Sequence, residues 1–243
     1  MQEVTEFFCA CQKMKAANPV DRMDVQINRG MGLGLSRGVA TKLARLRTPE
    51  RIQDFISAIP INFEPEGDTA LSVAEVLKQN RAHCFEGALV AACALYQSGQ
   101  PPLLMDMSAC EDDDHVLAIF RRGGCWGAIS KGNSVWLRFR DPIYRSLREL
   151  AMSYFHEYGL RRKKTLRSYS AAVDLRQMDS ALWVTHAGFC QEVIDRLTCA
   201  RHYPLISTSQ ERRLRCRDDM ELRIEQLRQF EPPASSSLKR VEQ

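Results

Sequence analysis

Arg81-Ala82-His83-Cys84-Phe85-Glu86-Gly87-Ala88-Leu89-Val90-Ala91-Ala92-Cys93-Ala94-Leu95-Tyr96 decides the fold of this chain. Phe85, Ala88, Leu89, Ala92, Leu95 and Tyr96 recur at helical spacing. Gly87, Ala88, Ala91, Ala92 and Ala94 are small enough for close packing inside a core. The helix starts near Ala82 or Cys84 and is stopped by Ser98-Gly99-Gln100-Pro101-Pro102. Cys84 therefore stands at the opening of a buried helix, where free N–H groups and the helix dipole favour a thiolate.

Downstream the periodicity changes. Leu103 to Met107 reads as a strand, Glu111-Asp112-Asp113-Asp114 as an acidic turn, and His115 to Arg121 as a second strand. Gly123-Gly124 is a hairpin turn into a third strand, Cys125 to Ser130. Gly132-Asn133 signals another turn, with a fourth strand expected over Val135 to Arg140 and a helix after Pro142. Upstream, Thr48 caps a helix with Pro49 at its first position, striped by Ile52, Phe55, Ile56 and Ile59 and ended by Pro60. Ser72 caps a short helix through Leu77 and Lys78. The fold class is α+β, with an antiparallel sheet packed on the cysteine-bearing helix. The expected organisation is an irregular leader (1–47), a core (48–178), a helical extension (179–231) and a disordered tail (232–243).

Composition excludes several classes. At 243 residues and 44% hydrophobic content the chain can bury a sizeable core, yet no run of about 18 apolar residues exists to span a membrane. Glu3 and Glu6 stand where a signal peptide needs basic residues, and nine cysteines form no regular framework; both point to reduced thiols in the cytoplasm. A net charge of +4 is too mild to imply nucleic acid, and Arg161-Arg162-Lys163-Lys164 and Arg212 to Arg217 read as solvated surface. The glycine-rich run Gly30 to Gly38 follows the polar stretch Asp21 to Arg29 rather than a buried strand, so it reads as a linker and not a phosphate loop.

The order of a cysteine opening a helix, then antiparallel strands, one beginning with a histidine, is chemically useful. The helix N-terminus stabilises the thiolate and can hold an oxyanion, while His115 can take the thiol proton and return it. Taken singly, a cysteine in an alanine-rich helix is ordinarily a small buried hydrophobe, and a histidine beginning a strand is ordinarily surface. Their order in the chain is what raises the pair.

Arg81-Ala82-His83-Cys84-Phe85-Glu86-Gly87-Ala88 and Asp114-His115-Val116, followed by Trp126-Gly127-Ala128-Ile129, resemble the transglutaminase-like superfamily, whose fold is that of papain-like cysteine enzymes. The resemblance covers roughly residues 48–158 and implies Cys84 as nucleophile and His115 as base. The family's third residue, usually Asp, is missing: the matching position holds Ser130, and the first acid after the hairpin is Asp141. If Gly132-Asn133 turns the chain, Asp141 lies opposite Gly124 at the far end of the sheet, roughly 26 Å from His115. Asn133 is therefore ranked first as the residue orienting His115, Ser130 second and Asp141 third.

His83 reads as a surface or capping residue, and Asp112, Asp113 and Asp114 as solvating their turn. His186, Cys190, Cys199 and His202 have suggestive spacing, but on one continuous helix the two pairs face opposite ways, so no metal and no cofactor is expected. Two functions follow. One is a cysteine-dependent enzyme (peptidase, amidase or transglutaminase-like) acting on a peptide or amide through a thioester on Cys84. The other is an inactive member of the fold acting as a binding or scaffolding module, with a protein partner docked on the C-terminal helices. Membrane and nucleic acid are not expected partners.

Overall fold

The computed structural model describes residues 19–233. Its helices α1 (Pro19–Gly32), α2 (Arg37–Ala44), α3 (Pro49–Ala58), α4 (Val73–Gln79) and α5 (Cys84–Gln97) precede strands β1 (Leu103–Ala109), β2 (His115–Arg122), β3 (Cys125–Ile129) and β4 (Arg140–Tyr144). Then follow α6 (Leu147–Met152), β5 (Gly159–Leu160), β6 (Lys163–Lys164), β7 (Leu166–Ser170), β8 (Val173–Asp174), α7 (Gln191–Thr198), β9 (His202–Pro204), α8 (Thr208–Glu211) and α9 (Asp219–Glu225). The fold is α+β. One seven-stranded antiparallel sheet runs β4-β3-β2-β1-β7-β9, with β8 also paired to β1.

Alternation along the strands divides the core in two. Val116, Ala118 and Phe120 of β2 face α5, whose Leu89, Ala92 and Leu95 are buried completely. Leu117 and Ile119 face the other way, onto Leu150, Ala151, Tyr154 and Phe155 from α6 and the turn after it. The caps read in the sequence are made: Thr48 and Ser72 accept from Arg51 N and Glu75 N at the starts of α3 and α4. The hairpin register also holds, with Arg122 opposite Cys125 and Ala118 opposite Ile129.

Three expectations are corrected. The leader is not irregular over its described part: α1 and α2 pack on α5 through Ile27, Leu35, Ala40 and Leu43. Gly30 lies inside α1 because a Cβ there would come within 2.5 Å of Gln97 Nε2 on α5; Gly34 turns the chain between the helices at φ +97°. Secondly, Val135 to Arg140 is not a strand. The chain from Lys131 to Phe139 loops off the sheet and passes Leu137 at φ 57°, with Leu137 N donating to Glu157 Oε2 at 3.1 Å. The fourth strand begins only at Arg140, and Pro142 sits in it because β4 is the sheet edge, where a missing N–H costs no ladder bond. Thirdly, residues 179–230 are not long helices. They form short turns around α7, β9, α8 and α9. The basic runs are not wholly solvated either: Lys164 and Arg217 are buried, and Arg217 bonds Glu225 at 3.0 Å and the Arg161 carbonyl at 3.1 Å. Of the expected tail, residues 234–243 lie outside the described residues. Among the described residues no helix is long and apolar enough to cross a membrane.

Candidate active site

Cys84 is the first residue of α5, with His83 as its N-cap. Two features bring the first turn of α5 to its place. Gly87 lets it approach the chain after β3, since a Cβ at Gly87 would meet Lys131 Cβ at 2.6 Å. Glu86, fully buried, gathers the preceding loop. Its carboxylate accepts from His83 N (3.0 Å), Leu71 N (3.0 Å), Thr69 Oγ1 (2.8 Å) and Asn62 Nδ2 (3.1 Å). A buried carboxylate so satisfied fixes the loop and the entry into α5 together.

His115 opens β2, buried, with its ring edge-on to Tyr158 at 6.5 Å between centroids. The Tyr158 hydroxyl donates to the Asp113 carbonyl at 2.8 Å. His115 Nε2 lies 2.8 Å from Ser130 Oγ. The hydroxyl of Ser130 donates its one proton to the Leu137 carbonyl, so it can only accept from the histidine. His115 therefore directs an Nε2–H at Ser130, and its Nδ1 is left for the sulfur, where it holds the proton that the thiol gives up. Gln53, on α3, holds Ser130 in turn, accepting from Ser130 N at 2.9 Å and donating to Ser130 O at 2.8 Å.

Burial works against a thiolate at Cys84. Hydrogen bonds from His115 and His83, and the charge of both rings, outweigh it and bring the thiol down to about 5. Burial likewise opposes a charged His83, but the Cys84 sulfur, the Glu86 carboxylate and the Thr69 carbonyl, 3.0 Å from Nε2, raise it to about 9. At neutral pH the site thus holds a thiolate beside a fixed cation. His83 is the residue that sequence reading missed. The capping position was legible; the second partner for the sulfur was not, because a residue at Ncap is not constrained by helical spacing and its ring can fold back over Cys84.

The remaining candidates are placed elsewhere. Asn133 does not reach His115: its side chain accepts from Phe230 N at 2.8 Å and donates to Phe230 O at 2.9 Å, clasping the C-terminal segment. The side chain that meets His115 is that of Ser130, which directly follows Ile129, the last residue of β3, itself opposite Ala118. Asp141 is not opposite Gly124. Arg140 pairs with Ala128, and a bulge at Gly127 follows. Asp141 lies exposed on β4, its charge felt by Arg122 at the hairpin end. The acidic turn is structural: Asp112 accepts from Thr165 Oγ1 at 2.6 Å, and Asp114 from Ala109 N at 2.8 Å.

The four residues with zinc-like spacing are dispersed rather than set on one helix. Cys190 and Cys199 flank α7, and His202, on β9, bonds Asp106 at 3.0 Å. Among the described residues no group of His, Cys, Asp and Glu is arranged to hold a metal ion.

No protein-family model matches the chain, and no curated protein does. The chemistry must be read from the site itself. Two cavities meet at Cys84, of about 320 Å³ and 390 Å³; His83 and Cys84 line both, and His115 lines only the first. A reactive sulfur at the junction of two cavities is open to a substrate that extends to either side.

Proposed function

We propose that the chain is a transglutaminase-like cysteine enzyme with a papain-like core, which transfers an acyl group or hydrolyses an amide through a thioester on Cys84. The observation that carries this reading is the convergence of His83 and His115 on a sulfur at the opening of α5, which holds the thiol near 5. A buried structural cysteine has the opposite environment: burial, opposed only by Gln97, pushes the Cys93 thiol in the same helix up to about 12.

In the forward step the Cys84 thiolate attacks the substrate carbonyl, and a C–S bond forms as the carbonyl π electrons move to oxygen. Helix N-terminal N–H groups are suited to hold that oxyanion. Collapse breaks the C–N bond, and the departing amine takes its proton from His115. Water or a second amine then attacks the thioester, with His115 taking the proton of the attacker, and the acyl group leaves the sulfur. His83 retains its proton throughout, because the Thr69 carbonyl and Glu86 hold its charged form.

The test is acylation by p-nitrophenyl acetate. The intact chain should give a burst of nitrophenolate stoichiometric with protein and an acetyl group on Cys84 by peptide mass spectrometry; Cys84→Ala should give neither. Absence of acyl-Cys84 sinks the enzyme reading and leaves the binding module, which the neutral Ser130 in place of an acid favours.

A further inference from the structure

The two cavities at Cys84 differ in character. The one that includes His115 is lined by the basic residues Lys131 and Arg228 as well as by acids. The other has apolar walls from Phe85, Ile194 and Leu197 and carries the carboxylates of Glu64, Asp106, Asp113 and Asp114, with the charged His83 as its one cation and no lysine or arginine among its lining residues. Four carboxylates stand against that one cation, and two of them are paired with histidines: Glu64 with His83 at 3.6 Å and Asp106 with His202 at 3.0 Å. Asp114 accepts from Ser108 Oγ and Ala109 N, and Glu64 from Thr69 N. Asp106 bonds His202 at 3.0 Å, while Ser108 Oγ, whose one proton goes to Asp114, lies 3.3 Å from it.

Reaction geometry assigns the cavities. The amine expelled from a tetrahedral intermediate must lie beside the group that protonates it, which is His115, so the leaving group occupies the cavity that His115 lines. The acyl carbon is bonded to the sulfur, and its substituent points away from His115, into the cavity that Cys84 lines and His115 does not. We propose, on the basis of the acyl-transfer reading above, that this second cavity is the acyl-side specificity pocket and takes an apolar chain ending in an ammonium or guanidinium, as a lysyl or arginyl residue offers. The aliphatic stem would lie on Phe85, Ile194 and Leu197, and the cation would meet Glu64, Asp106 and Asp114. A cavity of about 390 Å³ has room for such a side chain.

Peptidyl chloromethyl ketones test this without turnover, since the thiolate displaces chloride to form a stable thioether. Acetyl-arginyl, acetyl-norleucyl and acetyl-glutamyl chloromethyl ketones are reacted with the full chain, and Cys84 labelling is timed by mass spectrometry. The arginyl reagent should label about tenfold faster than the norleucyl one, with the glutamyl reagent slowest. Raising the salt concentration should shrink the arginyl-to-norleucyl ratio. Glu64→Gln and Asp106→Asn should each shrink it as well, and the unmodified chain with its salt series decides the matter should either variant fail to fold. Equal rates, or faster labelling by the norleucyl or glutamyl reagent, overturn the pocket assignment while leaving Cys84 reactive. No labelling of Cys84 by any of the three overturns the pocket and the enzyme reading together.

Discussion

A thiol held near 5 does not simply react faster than an ordinary one, and the difference sets the pH at which Cys84 should be probed. An unperturbed thiol of pKa 9.0 is ionised to about 1% at pH 7, against about 99% for Cys84, a gain of roughly 100-fold in thiolate. A less basic thiolate is also a poorer nucleophile: four pKa units at a Brønsted slope of about 0.45 cost roughly 60-fold per thiolate. The two effects nearly cancel at pH 7. At pH 6 the ionisation advantage rises to about 900-fold, and Cys84 should react roughly 15-fold faster than an ordinary thiol. The assay is exchange with 2-hydroxyethyl disulfide, which is neutral over this range, followed by peptide mass spectrometry. A short cysteine-containing peptide with an ordinary thiol serves as the reference. The Cys84 rate should be flat from about pH 6 to 8 and fall only as pH drops through about 5, while the reference rates climb tenfold per unit. His115→Ala and His83→Ala should each move the Cys84 inflection upward. A Cys84 rate that rises in parallel with the reference peptide from pH 5 to 8 refutes the ion pair and everything built on it.

Other consequences are measurable separately. Ser130→Ala removes the acceptor that fixes His115, and acylation of Cys84 by p-nitrophenyl acetate should slow about tenfold; Asn133→Ala and Asp141→Asn should leave it nearly unchanged. Gln53→Ala leaves the buried N–H and C=O of Ser130 without partners and should destabilise the fold by about 2–4 kcal/mol in urea titration, with slower acylation as well. Stability should follow pH with a definite sign. The depressed Cys84 contributes stability that is lost as pH falls through about 5, and the raised His83 contributes stability that is lost as pH rises through about 9. Comparing thermal midpoints of the intact chain and Cys84→Ala across pH 4–10 should therefore show the largest difference between those limits.

The parts legible in the sequence are those governed by local chemistry or by strict periods. Thr48 and Ser72 announce their caps, the alanine-rich stripe announces α5, and Gly123-Gly124 fixes the β2–β3 register. That register already puts Ser130 on the face of His115. Asn133 ranks above it on sequence because it lies just past the strand end and an asparagine can orient a catalytic histidine. What directs the chain there is not local. Leu137 is drawn down by Ser130 and Glu157, and Asn133 is claimed by Phe230, nearly a hundred residues on. Nor could the leader be read as helical. Its apolar residues are sparse and its glycines suggest a linker, although α1 carries an amphipathic stripe as marked as that of α3 and packs it on α5.

The neutral Ser130 is consistent with the chemistry that His83 makes possible. When a neutral nucleophile must be deprotonated during attack, a carboxylate behind the histidine does two things: it sets the tautomer and stabilises the imidazolium as it forms. Cys84 needs much less of the second. Its sulfur is already ionised in the resting site, and a lasting positive charge stands beside it on His83, backed by the buried Glu86. What remains is to keep Nδ1 of His115, with the proton taken from the thiol, aimed at the sulfur, and a serine whose own proton is committed to Leu137 does that without adding charge. An acid at Ser130 would moreover face the Leu137 carbonyl, an acceptor against an acceptor. Ser130→Asp should therefore not improve acylation over the intact chain, and a gain in rate would show that stabilising the His115 imidazolium is the limiting factor after all.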